Sequence, residues 1–202
     1  MKSLDPALIA HLGARGQICS HVLVWFSAVQ RLDGVTAAPW GVWTGDDDRT
    51  FTIDGSPRTY YGAGAMGPPG ALSFEVGYVV RLHRLQLSHL HADVKAALAS
   101  TEIRLRPVEL HQVHLVPGSH DLVAAPLLRL RGAVESLSLP RLAIGGAGMA
   151  EVQVASSARD MTRPLEITKS DATLRAVYPG DGFRRYIAVS GTVKVAWGEE
   201  NG

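Results

Sequence analysis

"WTGDDDRTFTID" (residues 43–54) sets three adjacent aspartates, Asp46, Asp47 and Asp48, against Arg49 and then against an alternating Thr-Phe-Thr-Ile run. Alternation with a period of two marks a strand with one buried face. The stretch therefore reads as an acidic turn opening a strand at 49–54, with a further strand at 40–43 before it. A calcium loop of the EF-hand type fails here. Counting from Asp46, Asp48 holds the third place, but Thr50 holds the fifth and Phe51 the sixth, where glycine is required. Adjacent strand residues point to opposite faces, so Asp46 and Asp47 cannot share an ion from a regular strand. From a turn they can close the chain and pair with Arg49 or Arg58. A bound cation at the turn is the minor alternative.

The β reading extends in both directions. "SHVLVWFSAVQRLDG" (20–34) is apolar and β-branched and ends in an Asp33-Gly34 turn signal, as expected of a buried strand. "GAGAMGPPG" (62–70) is a loop. Residues 72–90 have strand character, with Val80 and Leu82 on one face and Leu85 and Leu87 on the other, a phase change that suggests a bulge or a strand that switches partners. Residues 101–116 are β, interrupted at Pro107, and the run 122–134 keeps a period of two. "GGAG" (145–148) is a flexible joint, and 150–157 is another strand. The clearest hairpin is "FRRYIAVSGTVKVAWG" (183–198), turning at Ser190-Gly191. Two helices stand out: 4–13, with Asp5 as N-cap and Pro6 in the first position, and 91–100. The expected fold is mostly β, a β-rich α+β protein of antiparallel barrel-like or sandwich-like modules with one or two short helices. It is expected to form one domain over 1–202, with two submodules hinged near 140–149.

Composition narrows the function. The chain has 202 residues, 46% apolar and 19% charged, with net charge +1. That is globular composition, and it gives no electrostatic case for specific nucleic-acid binding. Cys19 is the single cysteine, which rules out a disulfide framework and a cysteine-rich metal set. The N-terminus does not read as a secretory signal, and no apolar run is long enough for a membrane anchor. Synthesis and folding in the cytoplasm are expected.

Motifs for chemistry are weak. Gly62, Gly64 and Gly67 match G-x-G-x-x-G, but Pro68-Pro69-Gly70 follow, so no helix opens to hold a pyrophosphate. His89 and His91 share a face on a strand; His111 and His114 do so only on a helix. Neither pair has zincin spacing. No G-x-S-x-G elbow is present. Arg159, Arg163, Arg184 and Arg185 make a basic cluster without the aromatic interleaving of base stacking, and read as ion-pair or subunit contacts. Trp25, Trp40, Trp43 and Trp197 lie in or beside β runs and read as core or interface anchors. No catalytic residue, metal ligand or cofactor is expected, and no enzyme activity.

Two blocks carry a resemblance. Residues 41–65, "GVWTGDDDRTFTIDGSPRTYYGAGA", and 156–198 resemble tail proteins encoded by siphophages and by gene transfer agents of alphaproteobacteria. In the second block the matching residues are Met161-Thr162-Arg163, Lys169-Ser170-Asp171, Pro179-Gly180-Asp181, Phe183, Tyr186 and Trp197-Gly198. The blocks cover roughly a third of the chain. The resemblance implies a tail-tip component most like a baseplate hub, a structural virion protein that forms a ring at the distal end of the tail tube. A homotrimer is favoured, as in hubs, and a hexamer is the alternative, as in distal tail proteins; a host-glycan-binding module is the other reading. Implied partners are the distal tail protein and a tail fibre or central hub protein. The metal cluster of certain hubs does not carry over to a chain with only Cys19. The residues expected at subunit contacts are Asp46, Asp47, Asp48, Arg49, Arg163, Asp181, Arg184, Arg185 and Trp197.

Overall fold

The computed structural model describes residues 4–70, 79–88, 91–140, 149–162, 169–187 and 189–192. They form two units, Met1–Thr162 and Arg163–Gly202.

The first unit opens with helix α1 (Pro6–Gly13), whose N-cap Asp5 side chain accepts a hydrogen bond from the Ala7 amide at 2.8 Å. The expected long strand at 20–34 divides into β1 (Cys19–Phe26) and β2 (Val29–Gln30). The break lies at Ser27, whose amide donates to the Pro107 carbonyl. Asp33 closes the following turn by accepting from the Val35 and Thr36 amides. Then come β3 (Trp40–Trp43), β4 (Arg49–Ile53), β5 (Ser56–Tyr61), β6 (Leu82–Ser88), α2 (Ala92–Ser100), β7 (Thr101–Glu102), β8 (Pro107–Leu115), β9 (Leu127–Ser138), β10 (Met149–Ser156) and α3 (Ala158–Thr162). Pro107 stands at the first position of β8, where its missing N–H costs least.

Eight strands make one sheet in the order β4-β5-β3-β1-β8-β9-β10-β6, and β2 pairs with β7 in a second, two-stranded sheet. Every pair is antiparallel except β3 with β5. Among the described residues the sheet ends at β4 and does not close, so the barrel-like closure expected from the alternation is not seen there. Residues 65–67 lie along β6 instead, through the Met66–Leu87 bridge and the bonds Gly67 N–H to Gln86 and Ser88 N–H to Ala65.

The phase change expected near residue 82 is not a bulge. From Leu82 to Ser88 the register with β10 is unbroken, and Leu82 faces outward while Leu85 and Leu87 are buried. The register shifts fall on the pairings of β9, at Leu110/His111 and at Gln153/Val154. The strand expected from residue 122 begins at Leu127. Residues 141–148, which hold the expected joint, lie outside the described residues, and the strands on either side of them pair with each other.

Adjacent β1 residues serve opposite faces. Val24 and Phe26 join a core that runs from Val42 of β3 through Val108 and Leu110 of β8 to Val152 of β10 and Leu85 of β6, together with Val94 and Leu98 of α2. Leu23 joins a smaller core with Trp43, Phe51, Ile53, Tyr60 and Val113.

The second unit holds helix α4 (Asp171–Val177) and a 3-10 turn at Ser190–Thr192. Ser170 caps α4 by accepting from the Thr173 amide, and Arg175 pairs with Asp171 at 2.9 Å one turn away. With α3 and α4, four α-helices are described where one or two were expected. The hairpin expected over 183–198 is also absent from the described part of that stretch. Residues 183–187 form turns, and its later residues from 193 lie outside the described residues. Alternation stabilises a strand only where one face is buried, and Phe183, Ile187 and Val189 are all exposed.

Candidate functional site

The acidic turn is the link that makes β3 and β5 parallel. After Trp43 the chain passes through 44–48 to lay down β4, then reverses at Asp54-Gly55, both with positive φ, so that β5 returns between β4 and β3. Asp-Gly at φ > 0 is a two-residue hairpin turn.

Backbone groups, the Trp43 indole and the Asp48 carboxylate hold the acidic turn. Trp43 Nε1 donates to the Asp47 carbonyl at 2.7 Å, the Gly62 amide donates to Asp48 Oδ1 at 2.9 Å, and the Ala63 amide donates to the Gly45 carbonyl at 3.0 Å. Gly45 and Gly62 are needed for space. A Cβ on Gly45 would overlap the Trp43 ring, and one on Gly62 would overlap the Asp47 carbonyl. The turn thus fixes its own backbone and leaves the carboxylates of Asp46, Asp47 and Asp48 exposed.

The expected pairing of these carboxylates with Arg49 or Arg58 is not made. Arg49 lies over the Phe51 ring at 5.0 Å. Arg58 lies over Trp25 at 5.2 Å and donates to Glu109 Oε2 at 2.7 Å. No ion pair of the three aspartates occurs among the described residues, and no group of three or more His, Cys, Asp or Glu side chains gathers there as a metal site.

Beside the turn is a cavity of about 520 Å³, lined by the three aspartates and Arg49, by Cys19, His21 and Trp43, and by the loop after β8 at Gly118–His120. Within it Cys19 Sγ lies 3.4 Å from His21 Nε2, and His21 Nδ1 lies 3.2 Å from Thr44 Oγ1. Thr44 Oγ1 accepts the Val22 amide, so its own proton is free for Nδ1. The arrangement orients the imidazole between the Cys19 thiol and the Thr44 hydroxyl.

A second charged cluster, not foreseen from the sequence, crosses the same sheet face. Glu109 pairs opposite Trp25 on β1 and opposite Arg131 on β9. Its carboxylate accepts from Arg58 and, at 2.9 Å, from Arg131 Nε. Burial alone would raise this carboxyl, but the two arginines offset that and hold it below its ordinary value. Burial pushes the neighbouring Tyr60 phenol up to about 12, against the opposing charge of Arg58. Burial also lowers His111, against the charge of Glu109. The signal lay in "PVELHQVHL", where alternation puts Glu109 and His111 on one face.

Of the other expected contact residues, Asp181 accepts from the Phe183 amide at 2.8 Å and so shapes a turn. Arg185 lies over Tyr186 at 5.6 Å, and Arg184 is half-buried. Arg163 and Trp197 lie outside the described residues, as does His89.

The fold has a solved counterpart. It is shared with a chain of the virion of a native gene transfer agent particle, at a TM-score of 0.55 and 16% sequence identity. The match covers 82% of this chain and 49% of that chain, so this protein spans about half the length of its structural neighbour. No family model matches the chain, and no curated protein does.

Proposed function

We propose that this protein is a structural component of a phage-type virion, a hub or adaptor ring at the distal end of a tail tube, and that it works by assembly with no catalytic step. The observation that carries the reading is the fold shared with a gene-transfer-agent virion chain over most of the present chain. The candidate site supports it. The acidic turn is held by the Trp43 indole, by backbone bonds and by one Asp48 oxygen, and it leaves the Asp46 and Asp47 carboxylates outward, which suits contact with another protein better than chemistry in a closed pocket. The sheet margin at β4, open among the described residues, offers unpaired backbone groups of the kind strand-adding contacts use. A trimer is the favoured copy number and a hexamer the alternative. The neighbours are a distal tail protein and a tail fibre or central hub protein.

Mass measurement of the purified chain, followed by negative-stain imaging, tests this reading. The expected result is a closed particle with three-fold or six-fold symmetry. A species that stays monomeric at high concentration, alone and when mixed with tail-tip proteins, would overturn it.

A further inference from the structure

We infer that residues 183–187 of one copy dock on the acidic end of the first unit of a second copy. This rests on the assembly reading above and names one of its contacts.

The receiving surface combines charge with apolar area. The three exposed carboxylates of the turn border the cavity, and none has an ion-pair partner among the described residues. Strand register adds the apolar part. Cys19 pairs with Leu115, and Leu115 bridges to Leu122, so Ile18, Val116 and Leu122 meet at the same sheet end. All three are exposed, Ile18 at 50%.

The docking segment has the complementary composition. Phe183 is 88% exposed and Tyr186 68%. Arg184 and Arg185 stand between them, with no carboxylate partner among the described residues, and Arg185 already lies against Tyr186. Contiguous exposed apolar side chains mark interaction surfaces. Aromatic residues and arginine are the types that dominate binding energy at interfaces. Arginine and aromatic groups on one patch, carboxylates and aliphatic groups on the other, make a contact of unlike surfaces. Repeated around an axis, such a contact closes a ring.

Charge reversal in the full-length chain tests the contact. One variant carries Asp46→Lys and Asp47→Lys, leaving the Asp48 bond to the Gly62 amide in place; the other carries Arg184→Glu and Arg185→Glu. Thermal unfolding followed by circular dichroism checks that each folds, and light scattering reads mass. The expected result is an oligomeric wild type, at least tenfold weaker association for each variant alone, and heteromeric species when the two variants are mixed. Variants that assemble like the wild type, or folded monomeric variants that fail to associate on mixing, overturn the contact and leave the assembly reading standing. A wild type that remains monomeric overturns both.

Discussion

Strand β1 of the first unit and the described residues of 183–189 are built from similar residue types with opposite results. In β1 the sequence VLVWF alternates between two cores, and Leu23, Val24 and Phe26 lose nearly all contact with solvent. In 183–189 the sequence FRRYIAV has comparable apolar content, yet Phe183, Tyr186, Ile187 and Val189 are exposed. The difference is not propensity. β1 has a hydrogen-bonded strand on either side and a second layer of side chains on each face. The later segment has turn bonds, Arg185 N–H to Gly182 and Ile187 N–H to Arg184, and no described strand beside it. Alternation identifies residues able to form a sheet; it does not supply the neighbour.

The comparison is broken or sharpened most strongly by paired truncations. Phe26→Ala is expected to cost about 3–5 kcal/mol, because it opens a cavity in the larger core. Phe183→Ala is expected to change stability by no more than about 0.5 kcal/mol, as surface substitutions do. Urea denaturation of the two variants measures both, and equal losses would show that the second segment is packed as tightly as the first.

The next effect concerns Glu109, which ties Arg58 of β5 to Arg131 of β9 across the first unit. Glu109→Gln is expected to cost about 2 kcal/mol, the scale of hydrogen bonds to charged groups. The same carboxyl contributes to a pH dependence. Its folded value is depressed, so its stabilisation is present above the ordinary carboxylate range and is lost as pH falls through the folded value. His83, His111 and His114 are lowered chiefly by burial. They bind fewer protons folded than unfolded, so stability is full above about pH 6.5 and falls as pH drops below it. Denaturation midpoints at pH 7.5, 6 and 4 should decline in that order, and a flat profile would contradict the burial of these rings.

The smallest effect on the isolated chain is expected at the acidic turn. Asp47→Lys should leave the unfolding free energy within about 0.5 kcal/mol, since only the Asp47 carbonyl is engaged. Its expected effect is on association, read by light scattering beside the unfolding curve.

The strands and the turn were legible because their signals are local. Thr-Phe-Thr-Ile alternates, and the acidic run is followed by a strand, as β4 shows. The partners were not legible. Nothing in residues 41–61 announces that β3 and β5 run parallel, because that follows from where the turn carries β4. Glu109 and Arg58 are separated by 51 positions and meet only through strand order. Helix α4 had a readable start in Ser170 and Asp171, but seven residues are too few for periodicity to outweigh the β pattern around them. The empty alternation of 183–189 could not be told from the filled alternation of β1, since burial is decided by tertiary neighbours.

The small strap formed by Met66 and its neighbours has a consequence for growth of the sheet. It occupies the outer side of β6 at Gln86–Ser88, so a foreign chain arriving there finds those amide and carbonyl groups already engaged. The opposite margin, Arg49–Ile53, carries no such cover among the described residues. Among the described residues one margin of the sheet is thus covered over Gln86–Ser88 and the other is bare, so the two ends of its ladder are unequal.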